Sequence, residues 1–246
     1  MRQSTTRVAV VTGGSRGIGR AVAGRLAADG CAVVVGYGGS EDEARAAVVE
    51  VTGRGGRAVA VQADVADERA VAALFDAAES AFGGVDVVTH AAGRMALAPL
   101  ADLDLAELDA LHRTNVRGTV VVAQQAVRRL RRGGALVLFS SSVLGRPFPG
   151  YGAYAASKGA VEGLVVVLAE EVRGRDVTVN AVAPGPTATD LFLEGKSAEL
   201  VARLAAEPPM ERLGTPDDVA GVVSFLAGPD GRWVHGQVVR ANGGLV

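Results

Sequence analysis

The chain has 246 residues, of which 49% are hydrophobic and 21% charged, and its formal net charge is −2. This length suits one α/β domain, and the weak charge gives no reason to expect binding to nucleic acid or to an anionic membrane. The single cysteine, Cys31, excludes an intramolecular disulfide and fits a reducing compartment. Residues 1–7 lack the layout of a signal peptide, and no apolar stretch reaches the roughly 18 residues of a membrane span. We therefore expect a cytoplasmic protein.

Short valine-rich runs alternate with longer alanine-rich stretches along the chain. The runs predict strands that are covered on both faces: Val8–Val11, Ala32–Val35, Ala58–Val61, Val85–Thr89, Ala135–Phe139, Val177–Ala181 and Gln237–Val239. The stretches between them predict helices: Gly19–Asp29, Glu41–Val51, Asp67–Phe82, Asn115–Leu130, Tyr154–Val172 and Pro216–Leu226. Such alternation predicts a doubly wound α/β fold, in which a parallel sheet of about seven strands carries helices on both faces.

The first expected strand leads into a glycine-rich turn, Thr12–Gly19, whose glycines fall at G-x-x-x-G-x-G. Glycines permit a sharp turn into a helix and let a pyrophosphate approach the backbone, where the N–H groups of the helix N-terminus face the anion. An ordinary strand-to-helix turn would have a similar composition, but the place of this one in the chain favours dinucleotide binding. The sequence thus predicts one Rossmann-type domain over residues 1–246. Its cofactor loop would comprise Gly13, Ser15, Arg16, Gly17, Ile18 and Gly19.

The end of the second expected strand bears on the choice between NAD and NADP. NAD-binding domains usually place a carboxylate there for the ribose 2′-hydroxyl, whereas this segment reads Gly-Tyr-Gly-Gly-Ser over residues 36–40, and the first acid is Glu41. Arg16 would attract a 2′-phosphate as a fixed cation, and Ser40 would donate a hydrogen bond to it. We therefore expect NADP(H), with Tyr37 and Ser40 at its adenosine end. The alternative is that Arg16 only faces solvent.

A cluster of polar side chains follows the fifth expected strand. Ser140, Ser141 and Ser142 come first, and Tyr154 and Lys158 follow, four residues apart and so on one face of a predicted helix. Only two of the 25 basic residues are lysines, which suggests that Lys158 is needed as a compact ammonium. A nearby ammonium lowers the pKa of a tyrosine from its usual value near 10. The cluster predicts proton transfer by Tyr154 at an oxygen that a serine holds. For Ser140 we expect a backbone role.

Taken together, these residues resemble the short-chain dehydrogenase/reductase family, which includes 3-oxoacyl-carrier-protein reductases. The resemblance spans the chain and also rests on Asp64-Val65, Asn115, Pro184-Gly185, Arg212-Leu213-Gly214 and residues 236–244. It implies hydride transfer between NADP(H) and a ketone or alcohol carbon, with Tyr154 as general acid or base, Lys158 on the nicotinamide ribose and Asn115 holding a water in a proton relay. It implies no metal. The further cofactor residues would be Asp64, Val65, Ala92, Gly93, Asn115, Tyr154, Lys158, Pro184, Gly185, Thr187 and Thr189.

The chain departs from the pattern of the family at two places. Residues 90–93 read His-Ala-Ala-Gly where Asn-Asn-Ala-Gly is usual, and we interpret His90 as a structural substitute. The serine that holds the substrate oxygen is ambiguous. The usual spacing to Tyr154 selects Ser141, whereas the local Ser-x-x-Gly pattern selects Ser142. We prefer Ser141 and keep both as candidates.

The remaining expectations concern the substrate and the assembly. Residues 190–210 form the one long insertion between expected elements, and such a segment is often functional, so we expect a substrate loop there. Together with Leu144–Gly152 it is mostly apolar or small, which suits a carbonyl on an apolar or acyl skeleton. The helix over Tyr154–Val172 is apolar on most sides, and the resemblance implies a homo-oligomer, specifically a homotetramer. The rival functions are an NAD-dependent alcohol dehydrogenase of the same fold and a non-catalytic nucleotide-sensing protein.

Overall fold

A computed structural model describes residues 6–246 and contains a seven-stranded sheet in the order β3-β2-β1-β4-β5-β6-β7. Its strands are β1 (Val8–Thr12), β2 (Ala32–Tyr37), β3 (Arg57–Gln62), β4 (Val85–His90), β5 (Leu130–Phe139), β6 (Thr178–Pro184) and β7 (Val238–Ala241). Every neighbouring pair is parallel. The strand order reverses between β1 and β4, and at such a switch point the carboxyl ends of the strands open a crevice for ligands. The expected Rossmann-type fold is confirmed.

Helices cover both faces of this sheet. They are α1 (Gly17–Ala28), α2 (Glu41–Gly53), α3 (Glu68–Phe82), α4 (Leu105–His112), α5 (Gly118–Arg129), α6 (Gly152–Glu171), α7 (Asp190–Leu193), α8 (Ala198–Ala206) and α9 (Pro216–Ala227). Helices α1, α2 and α9 bury their apolar sides in one core cluster, and α3, α5 and α6 bury theirs in a second cluster on the opposite face. The central strands β1, β2 and β4 are buried on both sides, which explains why their sequences are almost continuously apolar.

Two stretches differ from the sequence-based expectation. The helix expected from Asn115 begins at Gly118, because residues 113–117 form a π-helical turn that joins it to α4, a helix that the sequence analysis did not predict. The insertion at residues 190–210 contains the two helices α7 and α8. The side chain of Thr189 caps α7, and that of Ser197 caps α8 by accepting the backbone N–H of Leu200 at 3.3 Å. Threonine and serine are typical N-cap residues, so the sequence could have indicated the start of both helices.

Helix α6 is long and apolar enough to cross a membrane if only its length and its mean hydropathy of 1.3 are considered. This corrects the expectation that no stretch reaches that length. In the fold, α6 packs on β5 and β6 and buries Val161, Val165 and Leu168 in the core, while Val166 and Val167 remain exposed. It is the helix that carries Tyr154 and Lys158, and its buried apolar side packs that pair against the sheet.

Candidate active site

The three serines after β5 have different partners. Ser140 donates from Oγ to Oε1 of Glu162 on α6 at 2.6 Å, which ties the strand end to that helix. Ser142 is buried, donates from Oγ to the carbonyl oxygen of Ala183 at 3.2 Å and accepts Nδ2–H of Asn242 at 2.9 Å. Ser141 is only half-buried, its Oγ accepts the backbone N–H of Val143 at 3.3 Å, and its hydroxyl lies close enough to Tyr154 to act on the pKa of that phenol. The geometry therefore leaves Ser141 as the serine beside the phenol.

Tyr154 and Lys158 lie side by side on α6. The ammonium of Lys158 is 5.6 Å from the centre of the Tyr154 ring and donates to the carbonyl oxygen of Phe139 at 3.0 Å. Burial raises the pKa of Tyr154 to about 12, although the hydrogen bond from Ser141 acts in the opposite direction. Burial also lowers the pKa of Lys158 to about 8. The expected lowering of the tyrosine pKa by Lys158 is not what this structure shows, because removal of water from the phenol is the larger effect.

Asn115 lies in the π-helical turn, where the helix widens by one residue. Its side chain is buried and holds both backbone groups of Arg94, at 2.9 Å each, and it donates to Ser157 Oγ at 3.1 Å. A Cβ placed on Gly93 would lie 3.4 Å from Asn115 Oδ1 and 3.9 Å from Lys158 Nζ, so these two polar groups approach the same glycine. π-Helical turns are frequent at functional sites.

His90 ends β4 and pairs in register with Thr12 on β1. Its Nδ1 lies 2.8 Å from Thr12 Oγ1, and the side chain is buried. Burial, with a contribution from the charge of Lys158, lowers the pKa of His90 to about 3. The ring is thus neutral and bridges two neighbouring strands, which agrees with the interpretation of His90 as a structural substitute.

The crevice at the switch point is a groove of about 680 Å³. Most of the expected cofactor residues line it: Gly13, Ser15, Arg16, Gly17, Ile18, Gly19, Ser40, Asp64, Val65, Ala92, Gly93 and Thr189. A Cβ on Gly13 would come within 2.7 Å of the backbone nitrogen of Ala92, and one on Gly19 within 2.1 Å of the carbonyl oxygen of Gly13. No side chain caps the N-terminus of α1. This narrow glycine cradle, with free N–H groups at its end, fits the pyrophosphate of a dinucleotide.

The groove departs from the sequence analysis at its adenosine end. The side chain of Tyr37 is buried in the core under α1 and α2 and does not line the groove. Glu43, from the first turn of α2, does line it, and Gly38, Gly39 and Thr114 are further residues that the sequence analysis missed. The strand end itself carries no carboxylate, as the sequence indicated, but Glu43 brings one to the groove from the following helix. Glu43 follows Ser40 by three residues, so helical spacing would have revealed it.

A second cavity of about 160 Å³ adjoins the groove and shares with it Ile18, Ala91, Gly93, Thr189 and Leu191. Its polar end contains Tyr154, Lys158 and all three serines of residues 140–142, and the expected cofactor residues Pro184, Gly185 and Thr187 also line it. Its other walls are mainly apolar: Met95, Phe139, Val143, Phe148, Tyr151, Leu191, Phe192, Leu204 and Leu245. The rings of Tyr151 and Tyr154 meet edge to face with their centres 6.4 Å apart. Asn115 lines neither cavity and lies behind Gly93.

Nothing in the described part of the chain, residues 6–246, groups three or more His, Cys, Asp or Glu side chains in a way that would hold a metal ion. The polar groups of the cavity around Tyr154 include its phenol, serine hydroxyls and the ammonium of Lys158. These groups can donate hydrogen bonds and protons to an oxygen atom of a ligand.

Comparison with known proteins agrees with this geometry. A family model described as enoyl-(acyl carrier protein) reductase matches residues 13–246. An NADPH-dependent aldehyde reductase-like protein, chloroplastic, from Arabidopsis thaliana is 43% identical, over 98% of this chain and 94% of its own. Versicolorin reductase stcU from Emericella nidulans is 40% identical, over 97% of this chain and 95% of its own.

Solved structures agree as well. A short-chain dehydrogenase from Burkholderia cenocepacia in complex with NADP superposes with a TM-score of 0.91 at 41% identity, covering 100% of this chain and 99% of that one. A short-chain dehydrogenase/reductase from Serratia marcescens superposes with a TM-score of 0.92 at 37% identity, covering 97% of each chain. The sequence resemblance is thus confirmed over essentially the whole length, and the chain belongs to the short-chain dehydrogenase/reductase family.

Proposed function

We propose that this chain is an NADPH-dependent reductase of aldehydes or ketones. The observation that carries the proposal is the meeting of the two cavities: a groove that fits a dinucleotide opens onto an apolar pocket whose polar end holds Tyr154, Ser141 and Lys158. A carbonyl group in that pocket would lie against both hydroxyls. Relatives named as NADPH-dependent aldehyde reductase-like and as versicolorin reductase support the same class of reaction.

Each residue of the site has a separate role in the proposed carbonyl reduction. NADPH, when bound along the groove, supplies the hydride. Ser141 donates a hydrogen bond to the carbonyl oxygen and so holds it against Tyr154. Tyr154 donates its proton to that oxygen as negative charge develops there. Lys158 binds the nicotinamide ribose and restores the proton to the phenol. Asn115 holds the Gly93 segment and a water that links Lys158 to solvent.

Tyr154 carries its proton in the form that carbonyl reduction requires. With a pKa of about 12, the phenol carries its proton at neutral pH, which is the form that a general acid needs. Oxidation of an alcohol would need the phenolate, and burial disfavours that form.

The substrate pocket favours an apolar, ring-containing carbonyl compound. Phe148, Tyr151 and Phe192 line it, and the ring centres of Phe148 and Tyr151 are 5.6 Å apart. The segment 190–210 supplies Leu191, Phe192 and Leu204, so we assign it the role of substrate loop. Flat aromatic carbonyls fill such walls with favourable edge and face contacts.

The test is consumption of NADPH with a panel of aromatic and aliphatic aldehydes, cyclic ketones, quinones, β-ketoacyl thioesters and one enoyl thioester. We expect the aromatic carbonyls to be the best substrates. Tyr154→Phe should reduce kcat by about 10²- to 10⁴-fold, because it removes a positioned general acid. Binding of NADPH, followed by titration of the protein, should be unchanged in this variant and serves as its control. Near-normal turnover by Tyr154→Phe, or reduction of the enoyl thioester alone, would contradict the proposal.

The exposed apolar surface of the protein bears on its oligomeric state. An apolar depression between α5 and α6 is lined by Val116, Val120, Leu164 and Val167, of which Val120 and Val167 are about half exposed. We assign this face to a homo-oligomer, a tetramer by family resemblance. The cytoplasmic location stays a prediction, since one relative is named chloroplastic.

A further inference from the structure

Asn242 follows β7 directly, and its side chain joins segments that lie far apart in the sequence. Its Nδ2 donates to Ser142 Oγ at 2.9 Å and to the carbonyl oxygen of Val246 at 3.3 Å. Its Oδ1 accepts the backbone N–H of Gly244 at 3.1 Å. One amide group therefore connects the serine segment 140–145 with residues 243–246. None of the roles assigned above to the site residues uses it.

The bond from Asn242 determines what the hydroxyl of Ser142 can do. That hydroxyl donates its proton to the carbonyl oxygen of Ala183 on β6 and accepts from Asn242. Ser142 lines the substrate cavity, but its hydroxyl is buried and engaged in both bonds, so its proton is not available to a substrate oxygen. Ser141, the next residue back, is extended and accepts the backbone N–H of Val143 at 3.3 Å, so its own hydroxyl proton is still available on the side of Tyr154. The choice between the two serines thus depends on a residue 100 positions further along the chain.

Residues 243–246 also close one side of the substrate pocket. Leu245 lines the pocket, and the side chain of Val246 lies against Gly145, where an added Cβ would be 2.9 Å from it. Gly243 lies close to Pro208, at the end of the insertion that carries α8. The segment that Asn242 holds therefore touches both the serine segment and the substrate loop.

We propose that Asn242 is a positioning residue, which fixes the serine segment so that Ser141 holds the substrate carbonyl and Ser142 does not. This inference rests on the proposed carbonyl reduction. Because Asn242 acts through Ser141, its loss should impair catalysis mainly when Ser141 still has its hydroxyl. Loss of a residue that merely stabilised the fold would lower kcat equally with and without the Ser141 hydroxyl.

Asn242→Ala is the informative substitution. It removes both hydrogen-bonding groups of the amide but keeps the Cβ of residue 242. That Cβ packs closely on Gly185, since a Cβ added to Gly185 would be only 2.8 Å from it. The cofactor side of the site should therefore keep its shape, and the dissociation constant for NADPH, measured by direct titration, should stay within about twofold. Displacement of the carbonyl should lower kcat by about 10- to 100-fold.

The decisive measurement is a double-mutant cycle. Wild type, Asn242→Ala, Ser141→Ala and the double variant are compared in kcat with one carbonyl substrate. In the Ser141→Ala background, we expect Asn242→Ala to lower kcat by less than a further factor of about three, because the effects of coupled residues are not additive. Ser142→Ala should lower kcat less than Ser141→Ala does.

Asn180→Ala is the matched control. Asn180 is also buried and also uses its amide to hold the chain just before β7, by donating to Val234 O at 2.7 Å and accepting Gln237 N–H at 3.0 Å. It lines neither cavity. We expect Asn180→Ala to lower the thermal midpoint while kcat stays within about twofold.

Equal losses of kcat for Asn242→Ala in both serine backgrounds, or the same loss for Asn180→Ala, would overturn the proposal. A larger loss for Ser142→Ala than for Ser141→Ala would do so as well. These outcomes are distinct from failure of the proposed function, which would appear as a wild-type protein that reduces no carbonyl substrate.

Discussion

The environment of single side chains decides the chemistry of this site more than their spacing does. Tyr154 and Lys158 are four residues apart, and the sequence suggested that the ammonium would lower the pKa of the phenol. In the fold both groups are desolvated, and their pKa values move apart, that of Tyr154 up to about 12 and that of Lys158 down to about 8. The same burial that keeps the phenol protonated leaves Lys158 as the group that titrates nearest to neutral pH.

This leads to a pH dependence with a defined sign. Because the pKa of Lys158 is lowered to about 8, its charge is present below that pH and is lost as the pH rises through it. We expect kcat/KM for NADPH, which reports on the free enzyme, to be level below pH 8 and to fall by about tenfold per unit above it. Tyr154 contributes no such fall until about pH 12.

Lys158→Arg supplies the control for the pH profile. Arginine stays charged throughout this range, so the variant should be less active, because its planar fork replaces a compact ammonium, but its profile should lack the alkaline fall. An alkaline fall of the same size in Lys158→Arg would assign it to another group.

Cofactor choice is also set by single residues. Arg16 and Ser40 line the adenosine end of the groove. A charge-assisted contact to the 2′-phosphate contributes about 1.5–3 kcal/mol, so Arg16→Ala should weaken NADPH binding by about tenfold to a hundredfold more than NADH binding. Gly38→Asp should shift preference toward NADH, since Gly38 lines the groove and an added side chain there meets open space. The measurement is the ratio of kcat/KM for the two cofactors. An Arg16→Ala variant that loses both equally would contradict the assignment.

Glu43 and Glu41 provide a matched pair of variants that also tests the preference between NADPH and NADH. Its carboxylate lines the groove and would repel a 2′-phosphate, so Glu43→Gln should raise the preference for NADPH. Glu41 belongs to the same helical turn but is exposed, pairs with Arg45 and does not line the groove. Glu41→Gln should therefore leave the ratio unchanged, and a shift of equal size in both variants would indicate only a general effect of charge.

At the scale of elements, the sequence predicts the strands well and some helices poorly. Strands buried on both faces leave continuous apolar runs, so all seven were placed within a few residues of where the structure has them, apart from the earlier start of β5. The π-helical turn at Asn115 could not be predicted, because an extra residue in a helical turn leaves no local signal and depends on the contacts of Asn115 with Arg94 and Ser157.

The same contrast holds for the site. The glycine cradle, Tyr154 and Lys158 are placed together as the motifs predicted, because local spacing and the order of the strands suffice to bring them there. The role of Ser142 could not be read from spacing, since its partner Asn242 comes from the far end of the sheet. Tyr37 was assigned to the groove by its place at a strand end, but the alternation of side chains buries it instead.

For the whole molecule, the exposed apolar face of α5 and α6 predicts self-association. Light scattering at micromolar concentration should give a multiple of the mass of the chain, 24.9 kDa. Val167→Arg, in the middle of that face, should shift the distribution to smaller species, because a charge would be buried without a partner. Val49→Arg, at a valine that is also exposed but lies on α2, is the control and should leave the mass unchanged. A monomer mass for the wild type would refute the assignment.

The bond between Asn242 and Ser142 also bears on the order in which the molecule is assembled during folding. The dinucleotide groove is built mostly from β1, β2, β4 and the segments that follow them, all in the first half of the chain. The serine segment, by contrast, is held by a residue that reaches it only after the edge strand β7 has paired with β6. Contacts between residues distant in sequence carry a larger entropic cost of loop closure and tend to form late. We therefore expect a refolding chain to acquire a place for its coenzyme before it acquires a competent catalytic centre.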